Sequence, residues 1–234
     1  MTKPPAKLIP EVPRVGVPKV SGSGRRQQYS AATKQSLVEV AEALFTEHGY
    51  AHTSLDAIVA GAEVTKGALY HHFSGKQAVF EAVFELVESR AAADIREAAQ
   101  GSDDPWEKAQ AGLREFLEVV QQPAYQRVVI QDGPSVLGHE RYREQEERSS
   151  YATVVEIVHA VLGAGTWAAD DPMLDTFARI FFGALSAAGG AVAASTDPAE
   201  SAARVEAAIG HILAGLQVLQ AQGVDMPGSG PRPG

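Results

Sequence analysis

Residues 53–76, TSLDAIVAGAEVTKGALYHHFSGK, decide the fold of this chain. They contain two short stretches with apolar residues at helical spacing, separated by a tight break. Thr53 or Ser54 can cap the first helix and Thr65 the second, because hydroxyl oxygens accept hydrogen bonds from the free N–H groups at a helix start. The apolar residues of both stretches would pack the two helices together. The pattern predicts a helix-turn-helix whose second helix can enter a groove of DNA.

The second predicted helix carries side chains that suit contacts with DNA. Its first turn would lie nearest the base edges in the major groove. Lys66 can donate to guanine or phosphate, while Gly67 and Ala68 let the backbone come close. Side chains one turn further on, and at both flanks, can reach the sugar-phosphate backbone. The predicted DNA-binding residues of this segment are Ser54, Thr65, Lys66, Gly67, Ala68, Tyr70, His71, His72 and Lys76.

A pair of arginines, Arg25 and Arg26, comes shortly before the first predicted helix. We expect residues 1–24 to form a disordered arm, because they are rich in proline, glycine and serine and have no helical or strand period. The arginine pair then has two interpretations. It enters a narrow minor groove of DNA, or it is a solvated basic pair.

Composition limits the classes of protein to consider. The chain has 234 residues, of which 45% are hydrophobic, and this is enough to bury a sizeable core. It has no cysteine, so disulfides and thiolate metal sites are excluded. No stretch of about 18 consecutive apolar residues occurs, and the proline-rich start does not resemble a secretory signal. We therefore expect a soluble, cytoplasmic protein without a membrane partner, metal or cofactor.

The charge of the chain is distributed unevenly. Its formal net charge is −9, but residues 1–76 have nine Lys and Arg against six Asp and Glu. Residues 77–234 have eleven against twenty-three, so the acidic excess lies entirely in this part. A small cationic module on an acidic body is compatible with DNA binding, because the local field governs the attraction of phosphate.

Apolar residues recur at helical spacing along most of the chain, and no alternating run is long enough for a β-strand. We predict an all-α fold with about nine helices. Ser30 is the expected start of the first helix, and Gly49 its expected end. Residues 25–76 would form the helix-turn-helix domain, residues 77–222 a larger helical body and residues 223–234 a flexible tail. The charged run 143–148, REQEER, is interpreted as a solvated helix face.

The predicted helix-turn-helix resembles the DNA-binding domain of the TetR family of transcriptional regulators, over about residues 31–85. Two positions depart from the family pattern, with Glu63 in place of the usual turn glycine and Val59 in place of a small residue. A non-glycine residue at positive φ is strained by about 1 kcal/mol or more. Either the turn avoids that conformation or the fold absorbs the strain. The matching residues are Thr53, Ser54, Ile58, Ala62, Val64, Thr65, Gly67, Leu69, Tyr70, His72, Phe73 and Lys76.

The resemblance implies that the helical body both dimerises and binds an effector. TetR relatives dimerise through their final two long helices, and their middle helices enclose a cavity. For every candidate below, packing within one subunit is the alternative. The predicted dimer residues are Phe182, Ala187, Ile209, Ile212, Leu213 and Leu216. The candidate effector-binding residues are Phe84, Phe116, Val120, Arg127, Asp132, Tyr151, Val155, His159, Phe177 and Phe181.

We interpret the chain as a ligand-responsive dimeric regulator, most simply a repressor released from a palindromic operator by a small-molecule effector. The effector would shift the fourth helix or residues 133–138, and so change the spacing of about 34–36 Å between the two recognition helices. An activator or effector-independent regulator is the alternative within the DNA-binding class. An all-α carrier or enzyme without DNA binding is the alternative outside it. For an enzyme, the sequence offers no cysteine nucleophile, phosphate loop or recognisable carboxylate pair.

Overall fold

The computed structural model describes residues 22–163 and 171–224, and within these ranges the chain is all-α. Ten α-helices and one π-helical segment occur there, without a β-strand, which confirms the predicted fold class. The elements are α1 Gly22–His52, α2 Leu55–Gly61, α3 Lys66–His72, α4 Lys76–Ala99, α5 Pro105–Val119, π1 Tyr125–Asp132, α6 Gly133–Leu137, α7 His139–Arg148, α8 Ser150–Leu162, α9 Asp171–Ala193 and α10 Pro198–Ala221.

Helix α1 begins earlier than the expected start at Ser30. Its first residue is Gly22, so Arg25 and Arg26 belong to the helix and do not precede it. No proline interrupts this stretch, and its arginines and glutamines are good helix formers. The side chains of both arginines lie outside the described part, as do residues 1–21 of the predicted arm and 225–234 of the predicted tail.

Near its end α1 is broken at Gly49, which has φ 76° and ψ 167°. Glycine adopts positive φ without the clash that a Cβ causes. The predicted end of the first helix is therefore visible as a break, after which one further turn leads to His52. The Thr53 hydroxyl donates to the carbonyl oxygens of Gly49 at 2.9 Å and Leu44 at 3.1 Å across this break.

Helices α2 and α3 form as the sequence predicts. Ser54 is the N-cap of α2, and Thr65 is the N-cap of α3. Ile58 and Leu69 are buried between the helices and α1. The turn between them contains Glu63 at φ 53°, the only non-glycine residue with positive φ in the described ranges. The fold therefore absorbs the strain that the departure from glycine creates.

A continuous hydrophobic core joins the helix-turn-helix unit to the body. Phe45 of α1 and Phe80 of α4 are both fully buried, with ring centroids 5.3 Å apart. Tyr50 packs edge-on against Phe80 at 5.2 Å. Helix α4 continues from this cluster to pack along α5, so it links the helix-turn-helix unit to the body. Burial of such aromatic surface is a large stabilising term.

The second half contains a division between two helices and a π-helical segment. Residues 139–162 form two helices, α7 and α8, which divide at Ser149, and the Ser149 hydroxyl bonds the Glu88 carboxylate of α4. The short segment after α5 is π-helical and continues directly into α6. Such π-helical turns often accompany functional sites. A second core cluster lies between α5, α8, α9 and α10.

Helices α9 and α10 are long and apolar, and much of their surface is exposed in the single chain. By length and composition alone, Pro172–Ala193 and Pro198–Ala221 could each cross a membrane. Neither helix contains a long uninterrupted apolar run, because single polar residues are scattered along both. Core and interface helices pass the same test, so it is weak support for a membrane span. The expectation of no membrane partner stays a prediction.

Glu63→Gly is expected to stabilise the protein. Removing the Cβ relieves a strain of about 1–2 kcal/mol, and the added freedom of the unfolded chain offsets part of it, leaving a net gain of about 0.5–1 kcal/mol. Ala60→Gly, at an exposed helical position in α2, should instead lower stability by about that amount. Urea unfolding of the two variants measures the difference. Equal losses of stability would show that the turn is unstrained.

Candidate nucleic-acid interface and ligand cavity

The starts of α2 and α3 each present a hydroxyl group at the surface. Ser54 Oγ accepts from the Ala57 N–H at 3.1 Å, and Thr65 Oγ1 accepts from the Ala68 N–H at 3.2 Å. Each hydroxyl keeps its own O–H for an outside acceptor such as a phosphate oxygen. A Cβ built on Gly67 would meet only Thr65 Oγ1, at 3.8 Å. Packing within the chain therefore does not require the small residue.

Lys66 has a partner that sequence reasoning missed. Its ammonium lies 2.7 Å from the carboxylate of Asp56 in α2, and both side chains are exposed. This hydrogen bond raises the pKa of Lys66. Asp56 is on the preceding helix, and only the folded arrangement of α2 against α3 brings the two groups together. A DNA phosphate or base would have to compete with this carboxylate for Lys66.

The outer face of α3 carries the remaining predicted contacts. Tyr70 is 59% exposed, and His71 is also exposed. His72 is half-buried, and its pKa is lowered by burial and then by the nearby His71 and Lys34. Lys34 of α1, whose ammonium lies 5.8 Å from the Phe73 ring centroid, adds a cation to this side that the motif did not reveal. We call the face formed by the predicted residues 65–72 the recognition face.

Lys76, which was predicted to grip phosphate, has structural partners. Its ammonium donates to the carbonyl oxygens of Tyr50 at 2.8 Å and Thr53 at 3.0 Å, and it lies 4.2 Å from the Tyr50 ring centroid. These contacts fasten the start of α4 to the end of α1. They leave little of its donor capacity for DNA, so phosphate binding by Lys76 stays a prediction without support from this geometry.

Arg127 and Asp132, which were predicted to contact an effector, lie instead at the junction with the helix-turn-helix unit. Asp132 Oδ2 accepts from the Tyr50 N–H at 2.8 Å and from Arg127 Nε at 3.3 Å. The Arg127 guanidinium fills the space beside Gly49, where a Cβ would lie only 1.8 Å from one of its nitrogens. Asp132 precedes α6, but its side chain makes no capping hydrogen bond to that helix. We call Gly49, Tyr50, Lys76, Arg127 and Asp132 the junction.

The body encloses a cavity of about 160 Å³ between α4, α5, π1, α7, α8, α9 and α10. Of the predicted effector-binding residues, Phe116, Val120 and Phe181 line it. Most residues of the cavity wall were not among the predicted effector-binding residues. The wall is mostly apolar. Among the lining residues that were not predicted are Ile95, Leu113, Tyr125, Val129, Tyr142, Glu146, Ser150, Thr153, Ile157, Val161, Leu185 and Gly189.

The other predicted effector residues lie away from the cavity wall. Phe84 is fully buried against Tyr142, and Tyr151 packs edge-on against Phe182 at 5.4 Å. Val155 and Phe177 belong to the packing of the second core cluster. His159 is exposed, so its assignment to an apolar face is wrong, because α8 turns that position toward solvent. Neither these residues nor Arg127 and Asp132 line the cavity, so an effector contact by any of them stays a prediction without support from this geometry.

The predicted dimer residues divide between two surfaces. Phe182, Ile209, Leu213 and Leu216 line the cavity, because the inner faces of α9 and α10 close it. Ala187 and Ile212 point outward and are exposed. The same helices also expose Ile180 and Val218. The outward positions are the ones that remain available to a second subunit.

One end of the cavity is acidic. Glu146 of α7 lines it, although the run 143–148 was expected to be solvated, and Gln145 of the same run is buried. Desolvation, and then the neighbouring Glu88 carboxylate, raise the pKa of Glu146 to about 7, against the hydrogen bond from Tyr142. The sequence did not reveal this pair of carboxylates, because Glu88 and Glu146 lie on separate helices far apart in the chain. Within the described ranges, no group of three or more acidic, histidine or cysteine residues could hold a metal ion.

Glu88 lies behind the cavity wall and is only 2% exposed. It accepts hydrogen bonds from Ser149 and, at 2.7 Å, from Ser150, which lines the cavity. Burial and the Glu88 carboxylate raise the pKa of the Tyr125 hydroxyl well above its ordinary value. We call Glu146, Tyr142, Tyr125, Ser150 and Thr153, with Glu88 behind them, the acidic end.

Comparison with known proteins covers both halves of the chain. The family model described as "Bacterial regulatory proteins, tetR family" matches residues 37–83. The model described as "Tetracyclin repressor-like, C-terminal domain" matches residues 106–216. A TetR-family transcriptional regulator from Pectobacterium atrosepticum has a similar structure, with TM-score 0.70 and 28% identity, covering 81% of this chain and 96% of that one.

Two curated relatives match this chain over only part of their lengths. The HTH-type transcriptional regulator AcrR of Shigella flexneri is 40% identical over 65 residues, 28% of this chain and 30% of that protein. The probable acrEF/envCD operon repressor of Escherichia coli K12 is 29% identical over 116 residues, 45% of this chain and 50% of that protein. The chain thus spans half or less of the length of these relatives.

Asp56→Asn is expected to strengthen binding to duplex DNA. The change frees Lys66 and removes a carboxylate from the neighbourhood of the recognition face, so affinity for a non-specific duplex should rise about twofold to fivefold at low salt. Glu47→Gln removes the same charge from an exposed site on α1 and should have a smaller effect. Fluorescence anisotropy over a salt series measures both. Equal gains would mean that net charge, and not the ion pair, is responsible.

Glu146→Gln is expected to change how stability depends on pH. The carboxyl has an ordinary pKa of 4.5 and a folded pKa of about 7, so the folded state holds a proton that the unfolded chain releases between these values. Its contribution is fully present below about pH 4.5 and is lost as pH rises through about 7. Relative to the wild type, the Gln variant should gain stability from pH 5 to pH 8.

Urea unfolding at several pH values tests this expectation. Glu144→Gln, an exposed position on the same helix, is the control, and its curve should run parallel to that of the wild type. If the curve of Glu146→Gln also runs parallel to the wild type, Glu146 does not titrate in a buried site.

Proposed function

Because the chain belongs to the TetR family of transcriptional regulators, we propose that it is a dimeric, ligand-responsive repressor that leaves a palindromic operator when a small molecule fills the cavity. The observation that carries the proposal is the exposed recognition face on a short, capped helix beside a second capped helix. Among residues 22–163 and 171–224, no packing contact requires the open Gly67 or the exposed Tyr70. Such a helix fits the major groove with its first turn toward the bases.

The small size of the recognition face supports a dimer. One recognition helix covers too few base pairs for high specificity, and two-fold pairing doubles the site. Helices α9 and α10 offer exposed apolar side chains, with Ile180 at 61% and Ile212 at 55% exposure. Exposed apolar patches of this kind commonly mark an interface between proteins. We assign the dimer surface to the outward positions of these two helices, with Ala187 and Ile212 among them.

Two elements connect the cavity to the helix-turn-helix unit. The π-helical segment π1 turns Tyr125 and Val129 toward the cavity and holds Arg127 and Asp132 at the junction. Helix α4 contributes Ile95 to the cavity wall and Lys76 to the junction. A ligand that shifts either element would therefore also move the end of α1. It changes DNA affinity only if it binds one arrangement of these elements more tightly than the other.

Other functions within and outside the DNA-binding class make different predictions. An activator would bind the same operator but raise transcription of a reporter, and an effector-independent regulator would bind it equally with the cavity filled. A carrier or an enzyme without DNA binding would have no operator. We place the regulator in the bacterial cytoplasm, where its DNA is, and propose no membrane partner and no cofactor.

Selection of bound fragments from random duplex DNA, followed by footprinting, tests the proposed function. We expect a protected site with two-fold symmetry and half-sites about one helical turn apart. Failure to enrich any sequence would contradict the proposal.

Lys66→Ala then tests the recognition face on the selected site. If Lys66 contacts a base, discrimination should relax at one position; if it contacts phosphate, affinity should fall uniformly and the salt slope should drop by about one. Lys108→Ala makes the same charge change on α5 and should alter neither. An equal effect of the two variants would place the DNA elsewhere.

A further inference from the structure

The acidic end has many hydrogen-bond acceptors and few free donors. The hydroxyl of Tyr142 hydrogen-bonds Glu146, and that of Tyr125 hydrogen-bonds Glu88. The Ser150 hydroxyl donates to Glu88, and the Thr153 hydroxyl donates to the Ser149 carbonyl at 3.2 Å. The donors of this end are thus already used on protein oxygens. A carboxylate offers about four acceptor positions, so a ligand here must bring its own donors.

The two carboxylates have no direct ion-pair partner among the described residues, although Arg96 and Arg148 line a second pocket together with Glu88. The ion pairs of the described residues involve neither Glu88 nor Glu146. The charged groups that act on Glu146 are Glu88 from α4 and Arg143 and Glu147 from its own helix, with Tyr142 as its hydrogen-bond partner. Arg143 acts only from a distance and forms its ion pair with Glu147. Buried negative charge without a cation is costly, and a bound cation would remove that cost.

The rest of the cavity is apolar and rich in aromatic rings. Phe116, Tyr125, Tyr142, Phe181 and Phe182 all contribute to its wall. Aromatic faces attract ammonium groups and also pack against the apolar part of a ligand. The volume of about 160 Å³ is close to that of a protein cavity that holds benzene. The apolar part of a ligand in this cavity therefore has about the size of one ring.

We propose that the cavity binds a compact protonated amine, with its ammonium against Glu146 and its single-ring or short aliphatic body between α5, α8 and α9. The proposal rests on the proposed function, since it names the class of effector for the same cavity. It excludes carboxylates and other anions, which the acidic end repels. Neutral alcohols and phenols supply a donor but bring no charge to balance the Glu146 carboxylate.

Binding of three matched probes to the full chain tests the proposal. Phenethylamine, phenethyl alcohol and hydrocinnamate share one ring and a short linker and differ in charge. Calorimetric titration at pH 8 keeps the amine protonated and Glu146 ionised. We expect the amine to bind about tenfold or more tightly than the alcohol, as for a hydrogen bond between charged groups, and hydrocinnamate to bind most weakly.

Variants separate Glu146 from the rest of the cavity. Glu146→Gln should lower the affinity for phenethylamine about tenfold and leave that for phenethyl alcohol within about threefold. Glu144→Gln, exposed on the same helix, should change neither. Thermal unfolding of each variant confirms that it is folded before titration. Lowering the pH to about 5.5 should also reduce the preference for the amine in the wild type, because Glu146 then takes up a proton.

Several results would overturn the proposal. These are an amine that binds no more tightly than the alcohol, an unchanged amine affinity in Glu146→Gln, or no binding of phenethylamine at millimolar concentration. Operator binding with and without each probe is measured separately. If phenethylamine binds as expected but leaves operator affinity unchanged, the ligand-responsive function fails and the amine site stands. If a neutral or anionic probe binds and releases the operator while phenethylamine does neither, the function stands and the amine site fails.

Discussion

The backbone break at Gly49 is the constraint on which the arrangement of the whole molecule depends. Ending a helix inside a packed structure leaves peptide groups without partners, and they must be satisfied by other parts of the chain. Here the N–H of Tyr50 is satisfied by Asp132, and its carbonyl by Lys76. The two halves are therefore joined by charged groups at the point where the first helix stops. Glycine suits this position because φ is 76°, a conformation that a Cβ disfavours, and a Cβ would also displace the Arg127 guanidinium.

Features that depend on nearby residues could be predicted from the sequence. The caps Ser54 and Thr65 need only a hydroxyl before an apolar pattern, and both occur where expected. The irregular turn could also be located, since Glu63 stands where a glycine is usual, but the sequence could not decide its conformation. Packing of α2 and α3 on α1 holds Glu63 at φ 53° against its own preference. The beginning of α1 was placed too late because capping signals were given more weight than the helix propensity of the residues before Ser30.

Features that depend on distant residues could not be predicted. Helical periodicity shows which side of a helix avoids water, but it does not show whether that side meets a side chain or a void. Phe116 therefore lines the cavity whereas Phe84, with the same kind of pattern, is plain core. The roles of polar residues were misassigned in two ways: some predicted at the cavity lie elsewhere, and one predicted at the surface lines the cavity. Arg127 and Asp132 serve the junction, while Glu146, within a run that suggested a solvated face, reaches the cavity because its helix packs beside α4.

The uneven charge of the chain also has a kinetic consequence. A molecule with its acidic excess in residues 77–234 behaves in the field of a polyanion as a dipole with one repelled end. Encounters that bring the body first are turned away, whereas the helix-turn-helix unit, residues 25–76, has five Lys and Arg against five Asp and Glu and is not repelled by its net charge. For the proposed DNA-binding function, fewer collisions are then spent on wrong orientations, because the body is held away from the duplex. Added salt shortens the range of this field, so orientation would be lost before contact affinity is.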